Sequence, residues 1–139
     1  MKKIFVLICI ALITFHIKVS QAASCSSEYG VVVTGINGKN YCLSKRGINW
    51  WSTFAWCNKA EGFSEPVSVE DCECTGYEGC DETVACPNLK IGYNAIVWTA
   101  TNLDSMTSVA VNLSTGNFET TFHYHADSVY RSLCKQNGI

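Results

Sequence analysis

The sequence has little that would mark a nucleic-acid binder, a membrane-spanning protein or a hydrolase. Ten Lys and Arg stand against 12 Asp and Glu, for a formal net charge of -2. No run of basic residues occurs, so no long-range positive field is available to gather phosphates, and nucleic acid is not an expected partner. The longest apolar run, Ile4 to Ile17, is about 14 residues, and a spanning helix needs roughly 20. No Gly-x-Ser-x-Gly turn is present, and histidines number three, so a Ser-His-Asp or Cys-His nucleophile has little to draw on. Prolines number two and glycines ten in 139 residues that are 47% hydrophobic and 12% aromatic. That composition excludes collagen-like and low-complexity chains, because it carries enough apolar surface to offset chain entropy. The length admits one domain and a short tail.

What is present begins with an export signal. Lys2 and Lys3 precede the apolar run, Lys18 closes it, and the small residues around Ser20-Gln21-Ala22 mark a cut after Ala22. Residues 1–22 are therefore expected to be a secretory signal peptide and 23–139 the mature domain, with no membrane span. Loss of Lys2, Lys3 and Lys18 leaves seven basic against 12 acidic residues, a mature charge of about -5. A lipoprotein reading of Ala22-Ala23-Ser24-Cys25 lacks the large aliphatic residue three before the cysteine.

Of the nine cysteines only Cys9 lies in the signal, which leaves an even set: Cys25, Cys42, Cys57, Cys72, Cys74, Cys80, Cys86 and Cys134. An exported domain of this size gains stability from cross-links that restrict its unfolded state, so four disulfides are expected. The alternative, a zinc site at Cys72-Glu73-Cys74 with Cys80 and Cys86, lacks paired C-x₂₋₄-C knuckles.

Val31–Thr34 and Asn40–Leu43 are β-rich runs around an Asn37-Gly38 turn, and Asn-Gly is the strongest short hairpin signal. Asn49 can cap a helix from Trp50, in which Trp50, Phe54 and Cys57, with Trp51 and Ala55 alongside, recur at helical spacing until Gly62. The reading is an amphipathic helix whose three Trp and one Phe pack the core. Glu61 to Glu82 holds eight acids and no Lys or Arg, with cysteines throughout, and reads as a stapled acidic loop in which Ser68-Val69-Glu70-Asp71 can open a short helix. Four strand candidates follow: Ala95–Thr101, Thr107–Leu113, Phe118–His123 and Ser128–Cys134. These predict an antiparallel meander. The fold class is α+β, with an N-terminal hairpin, one main helix, a disulfide-stapled long loop and a C-terminal antiparallel sheet.

The strings Tyr41-Cys42-Leu43-Ser44, Asn49–Cys57, Glu61-Gly62 and Leu133-Cys134 resemble the C-type lectin-like fold, in particular its bacterial secreted versions. The resemblance touches most of residues 25–135. It implies that Cys57 pairs with Cys134, tying the helix to the last strand, and that Cys25 pairs with Cys42 in an N-terminal hairpin. Trp98-Thr99 sits where bacterial relatives carry a Trp-Thr strand. The departures are equally informative. Calcium-dependent sugar binders of the family present Glu-Pro-Asn or Gln-Pro-Asp and Trp-Asn-Asp, because a hard cation needs six to eight oxygens that also meet sugar hydroxyls. Neither motif is here, and Glu65-Pro66-Val67 lacks the amide oxygen. Cys72, Cys74, Cys80 and Cys86 form an additional group, read as two local bridges. Three pairings are open, and Cys72 with Cys80 plus Cys74 with Cys86 is the one taken.

His123-Tyr124-His125 places two imidazoles on one face of a strand, a geometry that can share a metal, with Asp127 as the one adjacent carboxylate. Asn117, His123, Tyr124, His125, Asp127, Tyr130 and Arg131 together supply the hydrogen bonding and flat contact area of a recognition surface. The acidic loop is a weak candidate cation site, and calcium is the cofactor it would take. The functional expectation is a secreted or periplasmic, non-enzymatic recognition module binding a glycan or protein. The alternative is a structural or adhesion subunit of a cell-surface or pilus-like assembly.

Overall fold

The computed structural model describes residues 25, 28–74, 78–124 and 130–137. The signal peptide expected at 1–22, and His125 and Asp127, lie outside the described residues. Strands β1 (Gly30–Thr34) and β2 (Asn40–Ser44) form the expected hairpin, and Gly38 at φ +81° supplies the left-handed residue that its tight turn requires. Helix α1 (Trp50–Lys59) starts where Asn49 accepts the Ser52 N–H through its side chain, and Gly62, two residues past the cap, turns the chain at φ +84°.

Two short elements lie inside the acidic stretch. Strand β3 (Phe63–Pro66) was not expected, because its Phe-Ser-Glu-Pro carries no alternation, and pairing with a distant strand is what holds it extended. A 3₁₀ turn (Val69–Cys72) follows, opened by a capping box between Ser68 and Asp71. A second 3₁₀ turn covers Pro87–Leu89. Strands β4 (Ile96–Asn102), β5 (Thr107–Asn112), β6 (Phe118–Phe122) and β7 (Tyr130–Gln136) follow the four candidates closely.

The topology departs from the meander. β4, β5 and β6 are antiparallel neighbours, but β7 lies between β2 and β4 and runs parallel to β4, in the order β1-β2-β7-β4-β5-β6 with β3 also on β7. Inserting β7 brings the chain's tail onto the first hairpin, Leu133 beside Leu43 and Cys134 beside Cys42. The described residues thus form an α+β body of one α-helix and a mostly antiparallel seven-stranded sheet. Among them no helix is long and apolar enough to cross a membrane.

Leu43, Val67, Leu89, Val97, Val111, Leu113 and Leu133 are fully buried in the main core, each contributing about 1.5 to 3 kcal/mol. A second cluster is made of cystines: Cys25–Cys42 and Cys57–Cys134 lie side by side, with Trp56, Ala60 and Phe63 packed on them. The remaining two bridges correct the assumed pairing. Cys72 bonds Cys86 and Cys74 bonds Cys80, a nested arrangement. Cys72 and Cys86 are both buried against the core beside Leu89, which draws the ends of the loop together and leaves its two inner cysteines to each other. With all four thiols in cystines, the zinc reading falls.

Candidate functional site

Three chain segments converge beside the cystine cluster. Cys25–Cys42 draws Glu28 and Tyr29 against the end of β2, where the Lys45 N–H donates to the Tyr29 carbonyl. Ser44 Oγ donates to the Arg46 carbonyl and accepts the Ser132 N–H, which sets the exit of β2. The following loop is held from the sheet: Trp98, fully buried, donates its indole N–H to the Ile48 carbonyl at 2.7 Å, and the Ile48 N–H donates to the Tyr130 carbonyl. Trp50 donates its indole N–H to the Thr99 carbonyl at 2.9 Å, which seats the first turn of α1 on β4.

Between these segments is a cleft of about 620 Å³. Tyr29, 61% exposed, and Trp56 supply aromatic walls, and Glu28, Arg46, Asn49 and Ser52 supply polar ones. The Asn49 carbonyl oxygen is engaged in capping, so its amide N–H groups are the part left for a ligand. The arrangement offers flat apolar surface, one carboxylate and one guanidinium, the few convergent polar groups in a partly apolar concavity that small-molecule and sugar sites share. Among the described residues, none of the sequence-selected recognition residues lines it. Trp56 belonged to the helix read as core packing, and nothing local to Glu28, Tyr29 or Arg46 distinguishes them from loop residues. A usable signal was the Cys25–Cys42 pairing, which forces residues 28–29 alongside 44–46.

Of the residues expected to form one recognition surface, the described ones lie at the two ends of β6 and on β7. Asn117 precedes β6 and His123 follows it, which separates them by about 20 Å along an extended strand. Tyr124 is 62% exposed and stacks on Phe122, Tyr130 stacks on the buried Trp98, and half-buried Arg131 sits on β7 beside Val97.

His123 is not a surface ligand. It is 2% exposed, sandwiched by a parallel stack on Trp50 at 4.2 Å and the edge of Trp51 at 5.2 Å. Its Nε2 lies 2.6 Å from Ser108 Oγ and 3.0 Å from Asn102 Oδ1. Since an amide oxygen only accepts, Nε2 is the donor to Asn102, and Nδ1 has no hydrogen-bond partner among the described residues. Ser108 is fully buried, and among the described residues no carboxylate bonds Nδ1, so the pair as described lacks the access and the third member of a nucleophile triad. The imidazole is a packing element that joins α1 to the β5–β6 end of the sheet.

The aromatic helix is also less buried than its periodicity implied. Thr53 and Cys57 are its buried residues, whereas Trp51 is 54% and Phe54 37% exposed. Trp50 is covered because His123 lies on it and Phe54 meets it edge-on at 4.9 Å.

The acidic stretch is partly neutralised from outside. Lys135 on β7 pairs with Glu65 at 3.1 Å and Asp71 at 3.2 Å. Burial works against its ammonium, but the hydrogen bonds to Glu65 and Asp71 outweigh it and hold its pKa above the ordinary lysine value. Asp81 is held below the usual carboxylate range by hydrogen bonds from the Thr83 hydroxyl and N–H. Among the described residues no three His, Cys, Asp or Glu side chains come together in a group that could hold a metal. No protein-family model and no curated protein sequence matches the chain.

Proposed function

We propose that the protein is an exported, non-enzymatic recognition domain of C-type lectin-like architecture that binds a glycan in the cleft between Tyr29 and Trp56. The observation that carries this reading is the cleft itself, a concavity of about 620 Å³ whose walls combine two aromatic side chains with Glu28, Arg46, Asn49 and Ser52. A sugar ring has an apolar C–H face and a rim of hydroxyls. Aromatic surface covers the first, while carboxylate, guanidinium and amide groups bond the second. The scaffold suits the task, because two adjacent disulfides hold the helix, the hairpin and the tail as one unit under the cleft. The helix-to-tail bridge Cys57–Cys134 and the hairpin bridge Cys25–Cys42 support the C-type lectin-like architecture, and four disulfides support an oxidising, extracellular or periplasmic location.

The test is a glycan-array screen of the oxidised protein, in calcium and again in chelator. Selective glycan binding is expected in both, since among the described residues Glu28 is the one carboxylate lining the cleft and a calcium site needs six to eight oxygens. Tyr29→Ala and Arg46→Ala are each expected to weaken binding at least tenfold. Trp56→Ala is less decisive because Trp56 also packs on the cystines. Absence of binding to any glycan, or binding unchanged in both Tyr29→Ala and Arg46→Ala, would overturn the assignment. The alternative, a subunit of a surface or adhesive assembly, is favoured by exposed apolar residues outside the cleft, Trp51, Leu103, Met106, Phe122 and Tyr124.

A further inference from the structure

We infer that the saccharide selected by the cleft is an acidic one, whose ring carboxylate is held by Arg46 while Glu28 accepts hydroxyls. The inference deepens the glycan reading above and rests on it. Glu28 and Arg46 are the two charged side chains lining the cleft among the described residues, and no ion pair joins them. The ion pairs among those residues use Lys90 and Lys135 instead. Among the same residues Arg46 takes part in hydrogen bonding through its carbonyl, which leaves the N–H fork of its guanidinium for a ligand.

An arginine on a slack loop binds poorly, because ordering the loop costs conformational freedom at the moment of binding. Arg46 stands on a fastened one. Ser44 Oγ donates to the Arg46 carbonyl at 2.9 Å, and the Lys45 N–H donates to the Tyr29 carbonyl at 3.1 Å. Two residues on, the Ile48 N–H donates to the Tyr130 carbonyl at 2.9 Å and the Ile48 carbonyl accepts the Trp98 indole N–H. The same bonds fix Tyr29 beside Arg46, so an aromatic face and a cationic fork address one ligand ring from a shared wall.

The polar groups of the cleft are mostly donors. Asn49 Oδ1 is committed to the Ser52 N–H, so its amide adds N–H donors to those of Arg46. A sugar hydroxyl engages one guanidinium N–H at a time, whereas a carboxylate accepts two in parallel, the geometry in which arginine pairs most strongly. A group that accepts several hydrogen bonds and donates none therefore suits this wall best. Glu28 supplies the complementary acceptor for hydroxyls, and its charge disfavours a ligand with many anionic groups. The formal net charge of -2 gives acids no general attraction to the molecule, so the preference has to arise locally, at Arg46.

Calorimetric titration of the oxidised protein with matched saccharides tests this: sialyllactose against lactose, and trigalacturonic acid against its methyl ester. In at least one pair the acidic member is expected to bind at least tenfold tighter than its neutral partner. Arg46 is exposed, so its variants should keep the fold. Arg46→Gln is expected to erase the difference by weakening the acidic member alone, and Arg46→Lys to keep part of it, as a charge without the planar fork does. Tyr29→Ala is expected to weaken both members of the pair alike, since both share the C–H face. Equal binding of acidic and neutral members, or an acid preference that persists in Arg46→Gln, would overturn the inference and leave the glycan reading standing. So would a sulfated lactose that binds more tightly than either carboxylate. A glycan array with no binding at all would take down both readings.

Discussion

At the scale of single residues, what decides a position is how closely other atoms approach it. Gly30 opens β1 beside the first cystine, and a β-carbon there would stand 2.9 Å from the Leu43 carbonyl oxygen and 3.0 Å from both the Cys25 carbonyl oxygen and Cys42 Sγ. Backbone and a cystine cannot yield as a flexible side chain can. Gly30→Ala is thus expected to cost about 1 to 3 kcal/mol in urea unfolding of the oxidised protein, as overpacking does. Gly38→Ala meets no neighbour within 4 Å, and its cost is expected to be limited to backbone strain at positive φ, about 1 kcal/mol. Equal losses at the two sites would argue against the crowding account. The Asn-Gly turn was readable in the sequence because a hairpin turn is a local property. The crowding at Gly30 was not, since it arises from Leu43 and from the cystine that residue 25 makes with residue 42. His123 teaches the same lesson. Its place on a strand alternation was evident, but the Trp50 ring that covers it comes from an element 73 positions earlier.

Among the elements, the stapled segment from Cys72 to Cys86 differs from its neighbours in how its cross-links are protected. Cys72 and Cys86 are 2% and 0% exposed, while Cys74 and Cys80 are both only half-buried. Cys74–Cys80 also closes the shortest loop, with a sequence separation of 6 against 77 for Cys57–Cys134. Chain-entropy arguments give the short loop roughly 2 kcal/mol of stabilisation, against between about 4 and 5 for the long one. Under mild thiol reduction, Cys74–Cys80 is therefore expected to open first, with the fold intact. Alkylation and peptide mapping would show modified Cys74 and Cys80 while circular dichroism stays native. Early labelling of Cys57 or Cys134 would contradict that order. The helix shows where element-level reading stops. Its start at Trp50 follows from Asn49, and its faces follow from the 3.6-residue period. Periodicity says which side chains share a face, however, and not whether another element covers that face, which is why Trp51 and Phe54 were misassigned to the core.

For the molecule as a whole, β7 is the member on which the rest depends. It contacts β2, β3 and β4, and its Cys134 holds α1 through Cys57. Replacing Cys57 and Cys134 together with alanine is expected to lower stability by roughly 4 kcal/mol, with an additional contribution from the cavity left between Trp56 and Phe63. The loss should appear as a lower denaturation midpoint. Because the unfolded chain loses its longest closed loop, the denaturant dependence should also become steeper. A double variant as stable as the parent would mean that the sheet alone holds the tail.

The even cysteine set, the hairpin, the helix start and the four late strands were all legible in the sequence, because each depends on composition or on residues a few positions apart. The two disulfides implied by family resemblance also agree with the structure. Three things required the tertiary fold: the nested pairing of Cys72 with Cys86 and Cys74 with Cys80, the parallel insertion of β7, and the cleft between Tyr29 and Trp56. Each is a choice among long-range partners that the local pattern leaves equivalent. Which one prevails is set by the burial of Leu43, Leu89 and Leu133 and by the cystines that close the chain upon itself.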